Sequence, residues 1–279
     1  METLKHPAMP ITVAILCGGP SLERGISLNS ARSVLDHLGG EVEIVPFYLD
    51  LLKNAYRISV AQLYSNTPSD FDFKLARTAN PVSTAELIQA LQEVDLVFPL
   101  IHGAYGEGGE LQSFLEEHGI PYIGSSSRAC RKAFDKFSAN ERLKQLGYFT
   151  YPQLLVEESQ PFLEVEQRLQ DFFQDQSLQR AVVKPTSGGS SICVFSVATP
   201  KQALDKISAI FAQEIDHRVV VEPFVSGREF TCIVLQDRDN RPLALLPTEI
   251  ETDYGGHELF DDRKKYLPTS QVIHHCPPR

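Results

Sequence analysis

Across 279 residues the chain has five cysteines and no Cys-x-x-Cys pair. Cys17, Cys130, Cys193, Cys232 and Cys276 are odd in number, far apart and mostly flanked by apolar residues. This speaks against a disulfide framework and a thiolate metal site, and for reduced, partly buried thiols in a cytoplasmic protein. No apolar run approaches the roughly 18 to 20 residues that span a bilayer. The apolar stretch at the N-terminus is broken by proline and lacks a small-residue cleavage site, so it does not read as a secretory signal. Positive charge is not in excess: the formal net charge is -10, which argues against nucleic-acid binding through a basic surface. A local group of lysines can still hold a small anion against that sign. Internal repeats and low-complexity segments are missing too. So are two phosphate signatures, the Walker order Gly-x-x-x-x-Gly-Lys-Ser/Thr and a full Gly-x-Gly-x-x-Gly after the first strand.

What remains has the composition of a soluble globular protein, long enough for one large domain or two to three small ones. Residues 11–17, ITVAILC, form a continuous β-rich run expected to be buried on both faces. A Gly-Gly-Pro-Ser break follows, then a helical pattern over 28–38 and a second strand over 41–48. Residues 51–81 read as an irregular surface segment. Ser83 and Glu86 form a capping box before a helix. Residues 95–101, DLVFPLI, make the next buried strand, with His102-Gly103 at the C-terminal end where an open α/β sheet places ligands. A helix over 110–118 and a short strand over 121–124 close this region. The alternation predicts a parallel sheet for residues 1–124.

From residue 125 the pattern turns to α+β. Helices are expected over 128–134 and 138–146, then around Phe162–Phe173 and Ala203–Phe211, with antiparallel β-runs over 218–224, 230–235 and 243–250. Between the last two helices lies AVVKPTSGGSSICVFSV, residues 181–197, which reads as strand, small-residue loop and strand. Glycines there let backbone N–H groups approach an anion, the serines add donors, and Lys184 adds a point charge. By itself such a hairpin is usually a plain turn. Lys136, just before a helix, reads alone as a solvated side chain. Residues 219–230, VVVEPFVSGREF, are either a strand with a glycine turn or an adenosine site with carboxylates at Glu222 and Glu229. The charged run DDRKKY, residues 261–266, is a solvated face or a loop over a ligand.

Taken in order, CGGPSLERGISLNS, FPLIHGAYGEGGELQ, PYIGSSSRACRKAFDK, VVKPTSGGSS, VVVEPFVSGREFT and DDRKKY with a late CPP resemble the D-alanine–D-alanine ligases of the ATP-grasp superfamily. The resemblance implies an α/β N-terminal Rossmann-like domain and an α+β ATP-grasp pair whose last member is incomplete. The expected bounds are 1–124, 125–218 and 219–279. It implies an ATP-dependent carbon–nitrogen ligase that makes D-alanyl-D-alanine through an acyl phosphate for peptidoglycan precursors. Its substrates would be D-alanine and ATP, with Mg²⁺, in a cytoplasmic homodimer that engages neither nucleic acid nor membrane.

Carried over residue by residue, Glu23 would hold the ammonium of the first D-alanine, with Ile26 and His102 shaping that subsite. Lys136 and Lys184 would bind the ATP phosphates, Ser190 would tie the loop to the site, and Ser191 would donate to phosphate. Glu222 and Glu229 would meet adenine and ribose, beside the Phe224-Val225 backbone. Lys265 would reach the γ-phosphate, and Tyr266 would bond across to the serine and Glu23. Gly25 and Gly109 depart from the family's commoner residues. The family's Glu-x-Asn motif, which binds two Mg²⁺, does not occur before Arg279. The expectation is therefore that no metal ligand lies in this chain and that its last domain is cut short. The alternatives are a truncated, non-catalytic paralogue or one half of a split ligase.

Overall fold

An unbroken apolar strand needs cover on both faces, and the first strand, β1 (Thr12–Gly18), has it. The computed structural model describes residues 11–252 and 272–278. The chain divides into two compact units, Met1–Arg142 with Ser187–Gly189, and Leu143–Thr186 with Ser190–Arg279.

In the first unit β1 pairs in parallel with β2 (Glu43–Leu49), and a short β3 (Ala55–Arg57) runs antiparallel on the edge. The parallel β4 (Leu96–Pro99) flanks the other side, giving the order β3-β2-β1-β4. Side chains alternate across the sheet. Ile15 and Cys17 pack with Leu28, Ala31 and Leu35 of α1 (Arg24–Leu38), Leu63 of α2 (Val60–Ser65), and Phe71 and Leu75 of α3 (Pro68–Thr78). Burial pushes the Cys17 thiol up to about 12, so it behaves as an apolar core group. Ala14 and Leu16 face the other way, toward Leu91 of α4 (Thr84–Gln92) and, after the one-turn α5 (Ala104–Glu107), Leu111 and Leu115 of α6 (Glu110–Glu117).

The structure departs from the sequence reading at three places here. Helix α1 begins four residues earlier than the apolar pattern, because its buried face includes a serine. Ser27 is fully buried; its hydroxyl accepts from Gly18 N at 2.8 Å and donates to Leu100 O at 2.6 Å. Residues 51–81 are not irregular: they hold β3, α2 and α3. The two helices start at capping boxes, Ser59 with Gln62 and Thr67 with Asp70, each tying an otherwise orphaned helical N–H. Residues 121–124 provide only a single parallel bridge, Tyr122 to Val97.

Helices α7 (Ser127–Phe134) and α8 (Lys136–Gln145) follow. The second unit is built on an antiparallel sheet of β5 (Leu154–Glu157), β6 (Ala181–Pro185), β7 (Phe195–Val197) and β8 (Arg218–Pro223), ordered β5-β8-β6-β7. One face, carrying Val156, Ala181, Val183, Val197, Val219 and Val221, packs on α9 (Phe162–Asp175) and α10 (Pro200–Ala212). The other face receives the alternate residues, among them Leu155, Val182, Lys184, Val220 and Glu222.

The expected runs 230–235 and 243–250 each split in two. Strands β9 (Glu229–Thr231), β10 (Val234–Gln236), β11 (Pro242–Ala244), β12 (Thr248–Thr252) and β13 (Val272–His275) form a β10–β11 hairpin and a separate sheet ordered β13-β12-β9. Each run changes sheets partway along, and hydropathy carries no mark of that. Among the described residues, no helix is long and apolar enough to cross a membrane.

Candidate functional site

In the first unit the polar residues gather beyond the C-terminal ends of β1 and β4, where a parallel sheet leaves loops free to meet. Glu23 caps the N-terminus of α1 and is only 4% exposed. A carboxylate there is favoured by the partial positive charge of the helix end. Its own N–H donates to Ser21 Oγ at 3.1 Å, and Ser21 Oγ donates to His102 O at 2.7 Å, so the two loops are stitched together. Close approach depends on Gly103, at φ +82. An added Cβ would lie 2.5 Å from Ser21 Cβ and 3.1 Å from Glu23 Oε2. Gly103 N in turn donates to Glu107 Oε2 at 2.7 Å, and His102 Nε2 is 2.9 Å from Ser30 Oγ.

The result is a group of two carboxylates and an imidazole. Ligand atoms of Glu23, His102 and Glu107 all lie within 4.8 Å of one another. Such a set suits a small cation, whether a metal ion or a protonated amine offering three donors. Ile26 stands one helical turn beyond Glu23 and is half-buried. Spacing alone gives Glu107 no role; its partnership with Gly103 and His102 depends on the α5 turn. Lys136 opens α8 and donates to Gly188 O at 2.8 Å. A Cβ on the neighbouring Gly189 would lie 3.0 Å from Glu23 Oε1.

In the second unit the uncommon feature is a charged row on the sheet face opposite the helices. Lys184 Nζ bonds Glu222 Oε1, with the two side chains 20% and 21% exposed. Gln153 Nε2 donates to Glu222 Oε2 at 2.8 Å. Lys184 faces Val220 in the ladder, and Glu222 faces Val182, so the pair is a diagonal across β6 and β8. Past β6 the chain enters a run of left-handed backbone: Gly188, then the non-glycine Ser190, Ser191 and Cys193 at φ 52, 58 and 56. L-residues adopt that region at a cost, and such clusters occur where backbone N–H groups are turned toward an anion. Ser190 is buried and Ser191 half-buried.

Phe224 and Val225 follow β8 directly. Phe224 N donates to Arg180 O at 3.1 Å, and the Arg180 guanidinium sits 3.9 Å from the Phe224 ring centroid. Glu229 opens β9 opposite Ile250 and is half-buried. Lys265, Tyr266 and Arg279 lie outside the described residues. No motif marks Gln153: its pairing follows from continuing the Leu154–Val221 register by one residue.

Comparison with known proteins adds an independent line. Residues 12–125 match the family described as "D-ala D-ala ligase N-terminus", and residues 143–278 match "D-ala D-ala ligase C-terminus". A D-alanine--D-alanine ligase of Nocardia farcinica is 34% identical over 92% of this chain and 73% of its own length. One from Leptospira interrogans is 30% identical over 91% and 72%. Among solved structures, the D-alanine-D-alanine ligase of Coxiella burnetii superposes with a TM-score of 0.73 at 27% identity, covering 86% of this chain and 70% of that one. The VanG D-Ala:D-Ser ligase of Enterococcus faecalis shares the fold at a TM-score of 0.73 and 24% identity, over 97% and 77% of the two chains.

Proposed function

We propose that this chain, which belongs to the D-alanine–D-alanine ligase family, joins two D-alanines into D-alanyl-D-alanine with conversion of ATP to ADP and phosphate. The observation that carries the reading is the Glu23–His102–Glu107 group, a cation subsite at the strand ends of a chain with this membership. In the reaction, the carboxylate of the first D-alanine takes the γ-phosphoryl group and ADP leaves. The amine of the second D-alanine then attacks the activated carbonyl, phosphate departs, and the new amide sheds a proton.

Each group has a part in this scheme. Glu23 holds the ammonium of the first D-alanine, and His102 and Ile26 bound that subsite. Lys136 and Lys184 act on ATP phosphates. Moving a phosphoryl group is mostly positioning plus charge neutralisation, which is why two lysines and a strained donor loop are useful. Ser191 donates to phosphate, and Ser190 ties the loop to the site. Glu222 accepts from the adenine amine, the Phe224-Val225 backbone lies beside the base, and Glu229 accepts from ribose hydroxyls. Lys265 and Tyr266 belong to the same scheme as γ-phosphate contact and cross-tie. ATP fits the second unit because Lys184 and Glu222 already neutralise one another there, a pairing a phosphate and an amine can exchange for their own. Mg²⁺, when bound, neutralises phosphate charge; none of the residues named here is assigned to it.

The test is phosphate release from ATP with and without D-alanine. Release that depends on D-alanine and collapses in Glu23→Gln supports the assignment. Release indifferent to D-alanine overturns it.

A further inference from the structure

One side chain near the proposed nucleotide site is held at a cost. Gln153 donates its amide N–H to Glu222 Oε2 at 2.8 Å, while its own Oε1 is buried and makes no hydrogen bond among the described residues. Buried acceptors are rarely left unpaired, so something fixes the amide this way round. The Glu222 carboxylate does so. It accepts only, and a reversed amide would press carbonyl oxygen against carboxylate. The register puts Gln153, Glu222 and Val182 in one row across β5, β8 and β6, with Lys184 on the adjacent diagonal. Glu222 is thus gripped at both oxygens, Oε1 by Lys184 and Oε2 by Gln153.

A carboxylate offers about four acceptor positions, so two such bonds leave capacity for another donor. They differ in kind. The lysine head is a rotatable point charge that does not fix the carboxylate plane, whereas a planar amide does. Lysine is also the partner expected to turn away when phosphate binds. We propose that Gln153 is a positioning residue for base recognition: it orients Glu222 so that the free lone pairs meet an exocyclic amine on the nucleotide base, favouring an amino-purine. The proposal rests on the ATP-site reading above and adds to it a residue that no motif contains.

The experiment titrates the full chain, by calorimetry, with Mg·ATP and with purine riboside triphosphate, which lacks the exocyclic amine. Wild type, Gln153→Leu and the volume-matched Gln153→Met are compared, with turnover at saturating ATP measured alongside. Wild type is expected to favour ATP by about tenfold, the worth of one good hydrogen bond to a charged acceptor. Both variants should weaken ATP by about tenfold and the analogue by less than about twofold, with kcat unchanged. A purely structural role would weaken both nucleotides together, and that result overturns the proposal. So does ATP affinity unchanged in both variants. Wild type binding both nucleotides equally removes base recognition and leaves the ATP site standing. Wild type binding neither removes the ATP site itself.

Discussion

The two units solve the problem of placing charge in a fold in opposite ways. In the first, a mainly parallel sheet is covered on both faces, and its polar groups lie beyond the strand ends, drawn together by backbone turns. In the second, an antiparallel sheet spends one face on the helices, and its polar groups project from the strands themselves as cross-strand neighbours. Geometry in the first unit is therefore set by glycines and loop hydrogen bonds. In the second it is set by register. The first arrangement is sensitive to added volume at a turn, the second to loss of a partner.

The largest effect expected is in the doubly covered core. Leu16→Ala should cost about 4 kcal/mol of unfolding free energy, read by denaturant titration, because rigid elements on both sides leave the cavity unfilled. A cost near 1 kcal/mol would mean that this sheet is no more constrained than a surface. Next are the two charge groups. Lys184→Met should raise KM for ATP about hundredfold by removing a charged phosphate contact, with KM for D-alanine unchanged. Glu23→Gln should raise KM for D-alanine by a similar factor, with KM for ATP unchanged. Steady-state kinetics in both substrates would break the comparison if either change moved both constants alike.

A glycine pair within the first unit sharpens the point about added volume at a turn. Gly103 and Gly188 both have positive φ, yet an added Cβ meets Ser21 at the first and, among the described residues, nothing within 4 Å at the second. Gly103→Ala should cost about 3 kcal/mol, from clash plus strain, and Gly188→Ala about 1 kcal/mol from strain alone. Equal losses of stability in thermal melts would refute the claim that crowding holds the first site together.

The smallest effect is in pH dependence, and the units should differ in sign. The Glu116 carboxyl is held below its ordinary range by the Ser127 hydroxyl, then by Ser127 N–H and the Tyr122 hydroxyl. A lowered folded value means that this tie contributes above the unfolded carboxylate range and is lost as pH falls through the folded value. In the second unit, His217 is raised by its hydrogen bond to Glu158. That contribution is full below the unfolded histidine range and is lost as pH rises through the folded value. Both groups are exposed, so each shift in melting temperature should be slight. Glu116→Gln should flatten the acid side of the profile and His217→Gln the near-neutral side; identical profiles for the two variants would reject the contrast.

Some features could be read without coordinates because they are local. The β1 run and the Ser83 box each state their structure within a few residues. The structure of residues 51–81 departs from the sequence expectation for an equally local reason. Their helices announce themselves by Ser59 with Gln62 and Thr67 with Asp70, not by long apolar periodicity. Glu107 and Gln153 have partners fixed by a turn and by strand register, neither of which spacing reveals.

The order of motifs along the chain, and with it the family, was determined by sequence, since chemistry that needs given residue types writes them down directly. Which of those residues meet was decided only by tertiary structure. Lys184 and Glu222 are 38 positions apart and become neighbours because β6 and β8 align. Glu23 and His102 come within reach because parallel β1 and β4 end side by side and Gly103 clears the gap. Composition can promise a lysine and a carboxylate. Only register and packing can place one against the other.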